Sequence, residues 1–267
     1  PRYDGHCRHL SADEVATRLA AGEPGVVRFK TPTEGDTTFQ DLIRGEVTFS
    51  NAILNDYVLL KSDGYPTYHL ANVVDDHYMN ITHIMRADEW ISSTPLHAML
   101  YQSFGWQPPA FAHLPMILGP DKSKLSKRHG ATTIIEYRER GYLPEAFVNF
   151  LALLGWSLDD KTELLSRAEL VANFSLERVG KTAAVFDIPK LEWMNGTYIR
   201  ALEPVEFARR ALPFLERDLP ADVKRPLDWD YVCGVARLVQ ERTRVLSELG
   251  ELCGFFFAEV LSYPASL

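Results

Sequence analysis

The chain has 267 residues, enough for a sizeable core and for two or three modules. Hydrophobic residues make up 46% and charged residues 24%, an ordinary globular balance in which no apolar run of membrane length and no signal peptide is read. A net charge of −8 speaks against a wholesale nucleic-acid coat and still allows a local basic track on one face.

The three cysteines, Cys7, Cys233 and Cys253, are odd in number and widely spaced, which fits a reducing compartment better than a disulfide framework. Ser11-Ala12-Asp13-Glu14 is a capping box, predicting a helix to about Ala21 with Gly22 as its stop. Strands are expected at Val26–Lys30, Glu46–Ser50 and Tyr57–Lys61, separated by turns at Thr33–Asp36 and Asp63-Gly64. This first region reads as a small α+β module. Tyr68–Asp76 then reads as an amphipathic helix, Ile81–Met85 as a buried strand, and Thr94-Pro95 as the start of a helix ending at Gly105. Phe111–Leu118 is the next strand. Strands separated by helices suggest parallel α/β units, whose ligands sit at the carboxyl ends of the strands. Arg86 and the loop over residues 119–130 both follow such strands.

That loop, Lys124-Leu125-Ser126-Lys127-Arg128-His129-Gly130, follows a turn at Gly119-Pro120-Asp121. With Lys122 it concentrates positive charge in an acidic protein, which suits a polyanion held at one spot. A triphosphate undergoing phosphoryl or nucleotidyl transfer fits that chemistry, because positive donors stabilise the developing charge. The sequence is not a P-loop, and a solvated basic loop remains the alternative. Beyond it the chain reads as mainly helical. Capping boxes stand at Thr133–Glu136 and Ser166–Glu169, and Gly141 and Gly155 are stops. Helices are expected from Pro144 through Leu154, from Ile188 to about Asn195-Gly196, and over Glu203–Glu216 and Trp229–Leu249.

Lys61-Ser62-Asp63-Gly64-Tyr65-Pro66-Thr67-Tyr68-His69-Leu70-Ala71-Asn72-Val73-Val74-Asp75-Asp76 resembles bacterial and organellar glutamyl-tRNA synthetases, which are class I enzymes. Arg86-Ala87-Asp88-Glu89-Trp90, the Lys124–Gly130 loop and Trp193-Met194-Asn195-Gly196-Thr197-Tyr198-Ile199-Arg200 extend the resemblance along nearly the whole chain. The family's His-x-Gly-His motif is absent, and only the start of its helical anticodon region is present. The resemblance therefore implies an internal fragment, expected to be inactive alone. Its fold class is α/β with an α+β insert and a mainly helical C-terminal part. Residues 1–66 would be the connective, acceptor-stem insert and 67–120 the second half of the split Rossmann domain. Residues 121–202 would be the lysine loop and stem-contact region, and 203–267 the start of the anticodon-binding domain.

By resemblance, Tyr68, Asn72 and Arg86 bind glutamate. Arg86 offers a planar fork for the side-chain carboxylate, and Tyr68 and Asn72 lie four apart on one helix face. The structural alternative packs Tyr68 in the core and pairs Arg86 with Asp88 or Glu89. Glu89, Trp90, Ile117, Lys124, Leu125, Ser126, Lys127 and Arg128 are implied for ATP, bound as its magnesium complex. Lys127 and Lys124 are the implied catalytic cations, with Lys127 stabilising the phosphates as glutamyl-adenylate forms. Cys7 and His9 match half of a zinc site found in some members; a structural zinc wants four ligands, so zinc is expected only in a longer parent. Asp75-Asp76-His77 is read as structural. The implied partners are tRNA(Glu), glutamate and ATP, with no membrane, and a monomer is expected in the cytoplasm or an organellar matrix. Two rival readings are a glutaminyl-tRNA synthetase-like enzyme, which would continue into β-barrels, and a tRNA-binding fragment without catalysis. A shorter paralogue that modifies a tRNA base lacks an anticodon domain, and the continuing helices speak against it.

Overall fold

The structure, a computed structural model, describes residues 3–130 and 133–259, so the tail Ser262–Leu267 lies outside it. The chain divides into two compact units. The first ends at Pro115 and also takes in Val179–Lys181; the second holds Met116–Arg178 and the chain from Thr182 onward.

In the first unit, α1 (Ala12–Ala20) opens on the expected capping box: the Ser11 hydroxyl accepts from the Glu14 N–H, and the Glu14 carboxylate accepts from the Ser11 N–H. Six strands follow: β1 (Val27–Arg28), β2 (Asp36–Asp41), β3 (Gly45–Ser50), β4 (Val58–Leu60), β5 (His83–Ala87) and β6 (Ala110–Leu114). β1 and β4 form a small antiparallel pair. The other four make one sheet in the order β3-β2-β6-β5. Within it β2 and β3 are an antiparallel hairpin, and β2–β6 and β6–β5 are parallel. β2 escaped the sequence reading because Asp36-Thr37-Thr38-Phe39-Gln40-Asp41 carries one large apolar residue. Its alternation nonetheless buries Phe39 and Asp41 and exposes Thr38 and Gln40. β5 is not the buried strand expected from its apolar residues. It is the edge of the sheet, and Met85 is exposed.

After α1, the described residues of this unit form two further α-helices, α2 (Tyr68–Tyr78) and α3 (Thr94–Phe104). Val73 of α2 packs with Leu96, Leu100 and Tyr101 of α3 and Leu59 of β4. α3 stops at Gly105, whose φ of 69° is left-handed. The strand expected over Phe111–Leu118 is broken at Pro115, which has no N–H for a ladder. β6 therefore closes the first unit, and β7 (Ile117–Leu118) opens the second.

In the second unit β7 pairs in parallel with β8 (Ala184–Val185). Its helices are α4 (Ile134–Glu139), α5 (Pro144–Ala152), α6 (Arg167–Asn173), α7 (Ile188–Arg200), α8 (Pro204–Asp218), α9 (Trp229–Val239) and α10 (Leu249–Cys253). Both expected capping boxes form, at Thr133 and Ser166. α7 runs on through Asn195-Gly196 because both are built into its packing. The buried Asn195 amide accepts from the Leu143 N–H at 2.7 Å and donates to the Arg244 carbonyl at 2.6 Å. The helix expected from Trp229 to Leu249 is interrupted at Gln240, whose buried amide donates to the carbonyls of Ile199 and Leu202. Phe207, Ala208, Ala211 and Leu215 of α8 share one core with Val232, Val235, Ala236 and Val239 of α9.

Candidate active site

Arg86 lies in β5, one residue from its carboxyl end, with its guanidinium inside the first unit. It donates through Nε to His113 Nε2 at 3.1 Å and through Nη2 to Thr94 Oγ1 at 2.9 Å, and Nη2 also approaches His97 Nδ1 at 3.4 Å. Nη1 is buried and has no hydrogen-bond partner. Neither acid named by the structural alternative pairs with Arg86. Asp88 instead binds Arg44 at 2.9 Å, and among the described residues no carboxylate lies within ion-pairing distance of Arg86. Burial pushes the guanidinium below its ordinary pKa, and the Tyr68 hydroxyl, Asp76 and Asp41 work against that. The group still stays charged, because an arginine does not deprotonate in proteins.

The acceptors around it are neutral. His113 is fully buried and joined through Nδ1 to Asp41 Oδ2 at 2.6 Å. Burial would raise the Asp41 carboxyl, but the N–H groups of Arg44 and Ile43 and the His113 ring together hold it below the usual carboxylate range. Burial holds His113 below its ordinary imidazole value despite the pull of Asp41. His97 is pushed down to about 3, first by burial and then by the Arg86 charge. It meets His69 at 3.0 Å, and burial lowers His69 too. The result is a half-buried cation hydrogen-bonded to uncharged acceptors, with one N–H edge that has no partner.

Tyr68 and Asn72 project from the first two turns of α2. Tyr68 is 51% exposed, not a core residue, and its ring centroid lies 5.1 Å from that of Trp90. Trp90 in turn has Arg86 5.6 Å from its ring centre, within cation–π reach. Asn72 donates to Asp76 Oδ2 at 2.9 Å, which leaves its own Oδ1 buried without a partner. Asp76 is kept above its ordinary value by burial. Two unused polar atoms of opposite character thus sit in this unit, a donor on Arg86 and an acceptor on Asn72. Glu89, exposed, and Trp90 occupy the short turn Asp88–Ser93 after β5.

In the second unit the lysine loop begins as a tight turn. Gly119 donates to the Ser123 carbonyl and Lys122 to the Gly119 carbonyl, with Lys122 itself at φ 60°. The Leu125 N–H then bonds the Ile117 carbonyl, and Lys124 bridges Leu118. Ile117 and Leu125 anchor the loop by packing against Tyr137, Phe150 and Met194. Asp121 ties the turn to Arg128 at 3.4 Å. Lys127 opens a single short helical turn, Lys127–His129, and Gly130 follows at φ 107°. Lys127 lines an open hollow with Gly130, Glu136, Arg140, Arg217, Asp218 and Ser247. Lys124 and Ser126 are exposed and do not line it.

Cys7 and His9 are both exposed, in the turn before α1. No group of three or more candidate ligands is present among the described residues, so Cys7 and His9 lack the two further donors a structural zinc requires. Arg8, between them, is instead engaged with Asp56 and the Thr31 carbonyl.

The family model of class I tRNA synthetases (E and Q), catalytic domain, matches residues 1–193. The chain belongs to that family. A second match, to an anticodon binding domain, covers residues 206–267 of this class I synthetase. It is 59% identical to the glutamate–tRNA ligase of Dehalococcoides mccartyi over 268 residues, all of this chain and 54% of that protein. It is 46% identical to that of Moorella thermoacetica, over 98% of this chain and 54% of that protein. The chain spans about half the length of the curated relatives it matches. Among solved structures, a glutamate tRNA ligase from Elizabethkingia meningosepticum in complex with its amino acid aligns with a TM-score of 0.84 and 36% identity. That alignment covers 99% of this chain and 56% of the other.

The sequence reading of this class I synthetase missed the residues behind Arg86: Asp41, Thr94, His97 and His113. One signal was available. His113 is a polar residue inside the apolar strand Ala110-Phe111-Ala112-His113-Leu114, and a buried polar side chain demands a partner. Nothing in the sequence pointed to Asp41 as that partner.

Proposed function

We propose that the protein acts as a glutamate–tRNA ligase, activating glutamate with ATP and transferring it to tRNA(Glu). The observation that carries this reading is the buried Arg86 Nη1, a donor with no partner on a cation with no carboxylate in ion-pairing contact. The side-chain carboxylate of glutamate supplies both. Glutamine would offer one oxygen and leave the charge uncompensated. Asn72 Oδ1 is the complementary acceptor for a substrate N–H, and Tyr68 and Trp90 flank the site.

In the first step the substrate α-carboxylate attacks the α-phosphorus of magnesium-bound ATP. A carboxyl–phosphate bond forms and pyrophosphate leaves, giving glutamyl-adenylate. Lys127, with Lys124, Leu125, Ser126 and Arg128 of the same loop, offsets the charge that grows on the phosphates. Glu89, Trp90 and Ile117 contribute to the nucleotide site. In the second step a hydroxyl of the terminal adenosine takes the glutamyl group as an ester and AMP leaves. In this reading residues 1–66 are the acceptor-stem insert, whose β2–β3 hairpin extends the sheet of the Rossmann half at 67–120. Residues 121–202 form the lysine loop and stem-contact region, and 203–267 begin the anticodon-binding domain. Zinc at Cys7 and His9 would need two ligands from elsewhere, and the working compartment is the cytoplasm.

The test is charging of tRNA by the full-length gene product with ATP, magnesium and labelled amino acids. Glutamate is expected to be attached and glutamine rejected. Equal charging of both, or of neither, refutes the proposal.

A further inference from the structure

The hydrogens around Arg86 can be placed by elimination. A carboxylate held below its usual range only accepts, so the 2.6 Å contact between Asp41 Oδ2 and His113 Nδ1 requires the proton on Nδ1. A neutral imidazole then has a bare Nε2. Arg86 Nε–H only donates, and it points at that atom from 3.1 Å. The same logic fixes His97. Its Nδ1 accepts from Arg86 Nη2, so Nε2 carries the proton and donates to His69 Nδ1 at 3.0 Å.

Asp41 is itself immobilised. Its Oδ1 accepts from the N–H groups of Ile43 at 3.0 Å and Arg44 at 2.8 Å, in the turn between β2 and β3. Its Oδ2 accepts from the His113 backbone at 3.0 Å as well as from the ring. The parallel pairing of β2 with β6, Asp41 opposite Phe111, sets this contact. Asp41 and His113 have fully buried side chains and no route to solvent or substrate of their own.

We infer that Asp41 and His113 are positioning residues for substrate selection: Asp41 locks His113 in the Nδ1–H tautomer, and His113 Nε2 then holds the Arg86 fork with its unpartnered Nη1 edge turned toward the ligand carboxylate. This rests on the reading of Arg86 as the substrate anchor. The prediction is directional. In Asp41→Asn one oxygen remains for three backbone donors, and the Ile43 and Arg44 N–H groups outweigh the single His113 N–H, so the amide nitrogen faces His113 Nδ1. The ring must then carry its proton on Nε2, so Arg86 Nε–H loses its acceptor and the Nε2–H turns to Thr94 Oγ1 at 3.2 Å, the hydroxyl that Arg86 Nη2 also uses.

The experiment compares Asp41→Asn, His113→Gln, His113→Phe and Arg86→Leu in the full-length gene product. It measures glutamate and ATP KM in tRNA charging, and the histidine tautomer by ¹⁵N–¹H NMR. Asp41→Asn and His113→Phe are expected to raise glutamate KM ~10-fold or more with ATP KM within about twofold, since a displaced fork loses orientation rather than chemistry. His113→Gln, whose side-chain oxygen reaches the place of Nε2, should stay within about threefold of wild type by the same reasoning. Wild-type His113 should show the Nδ1–H signature and Asp41→Asn the Nε2–H one. If Arg86→Leu destroys the preference for glutamate while Asp41→Asn and His113→Phe leave glutamate KM unchanged, the positioning role is overturned and the anchor stands. If Arg86→Leu leaves the preference intact, both fall. Should Asp41→Asn not fold, the Gln-versus-Phe contrast at His113 decides, and equal effects of the two overturn the inference.

Discussion

Arg86→Leu separates activity from stability in a way that only a substrate-facing cation predicts. In the folded unit the guanidinium makes hydrogen bonds to His113, Thr94 and His97 and leaves Nη1 without a partner. Removing it forfeits hydrogen bonds from a charged donor, worth about 1.5–3 kcal/mol each. It also relieves the partial burial of an ion with no carboxylate in contact, a desolvation cost that opposes the loss of those bonds. The two effects nearly offset, so the unfolding free energy is expected to change by no more than about 1 kcal/mol. Substrate binding has no such offset. The glutamate carboxylate enters a site stripped of its donors, and truncating one partner of a buried charged pair costs about 2–5 kcal/mol. At about 3 kcal/mol, kcat/KM for glutamate falls roughly 100-fold or more. Arg86→Lys should recover only part of this, because an ammonium is a point charge without the fork. The assay is steady-state charging with glutamate and glutamine beside a denaturant unfolding curve of each variant. An unchanged glutamate-to-glutamine ratio makes Arg86 a structural residue. A loss of stability as large as the loss of activity makes it one too.

Lys127→Ala should lower the kcat of adenylate formation by ~100-fold or more with little change in glutamate KM, since its charge acts where charge develops; an effect confined to KM contradicts this. Lys124→Ala should do less, because Lys124 lies on the bridged limb of the loop, and equal losses would remove the division of roles. Gly141→Ala should destabilise the second unit by about 3 kcal/mol or more. Gly141 has φ 80°, and an added Cβ would meet Leu246 Cβ at 2.5 Å and its backbone nitrogen at 2.7 Å; an unchanged denaturation midpoint refutes the packing. Acid should weaken the first unit early. His69, His97 and His113 are held neutral by burial, so the unfolded chain binds more protons than the folded one once pH drops below about 6.5. Stability is therefore complete above that value and falls below it, for His97 down to about 3; a His97→Gln protein with the wild-type pH slope disproves this.

What could be read from the sequence was local. The capping boxes at Ser11, Thr133 and Ser166 formed where they were expected, because a cap is decided within four residues. Tyr68 and Asn72 fall on one helix because their spacing is helical, and Arg86 precedes the turn after its strand. What could not be read depends on pairing across distance. β2 carries too little apolar surface to announce itself, and its place beside β6 is set by the sheet. Asp41 meets His113 across 72 residues, so no window on the sequence contains both. α7 passes through Asn195-Gly196, where a stop was expected, because Leu143 and Arg244 supply partners from other segments. Propensity gave way in each case to a tertiary hydrogen bond.

The first unit does not lack acids to neutralise arginines. Arg8 is held by Asp56, and Arg44 by Asp88. Arg86 alone of these three has an imidazole between its guanidinium and the nearest carboxylate in its hydrogen-bond chain. That interposition has an electrostatic consequence. A carboxylate in direct contact would attract the guanidinium by about 4 kcal/mol at an effective dielectric of 20, and an incoming substrate carboxylate would have to replace that attraction before gaining any of its own. His113 passes on the direction of the Asp41 carboxylate while keeping its charge one ring away, where its pull on Arg86 is outweighed by burial. The fork is held in place, no carboxylate touches the cation, and the contacting counter-charge is left for the ligand to bring. A glutamine side chain cannot bring it, so selectivity against the amide follows from what the fold withholds from Arg86 as much as from what it provides.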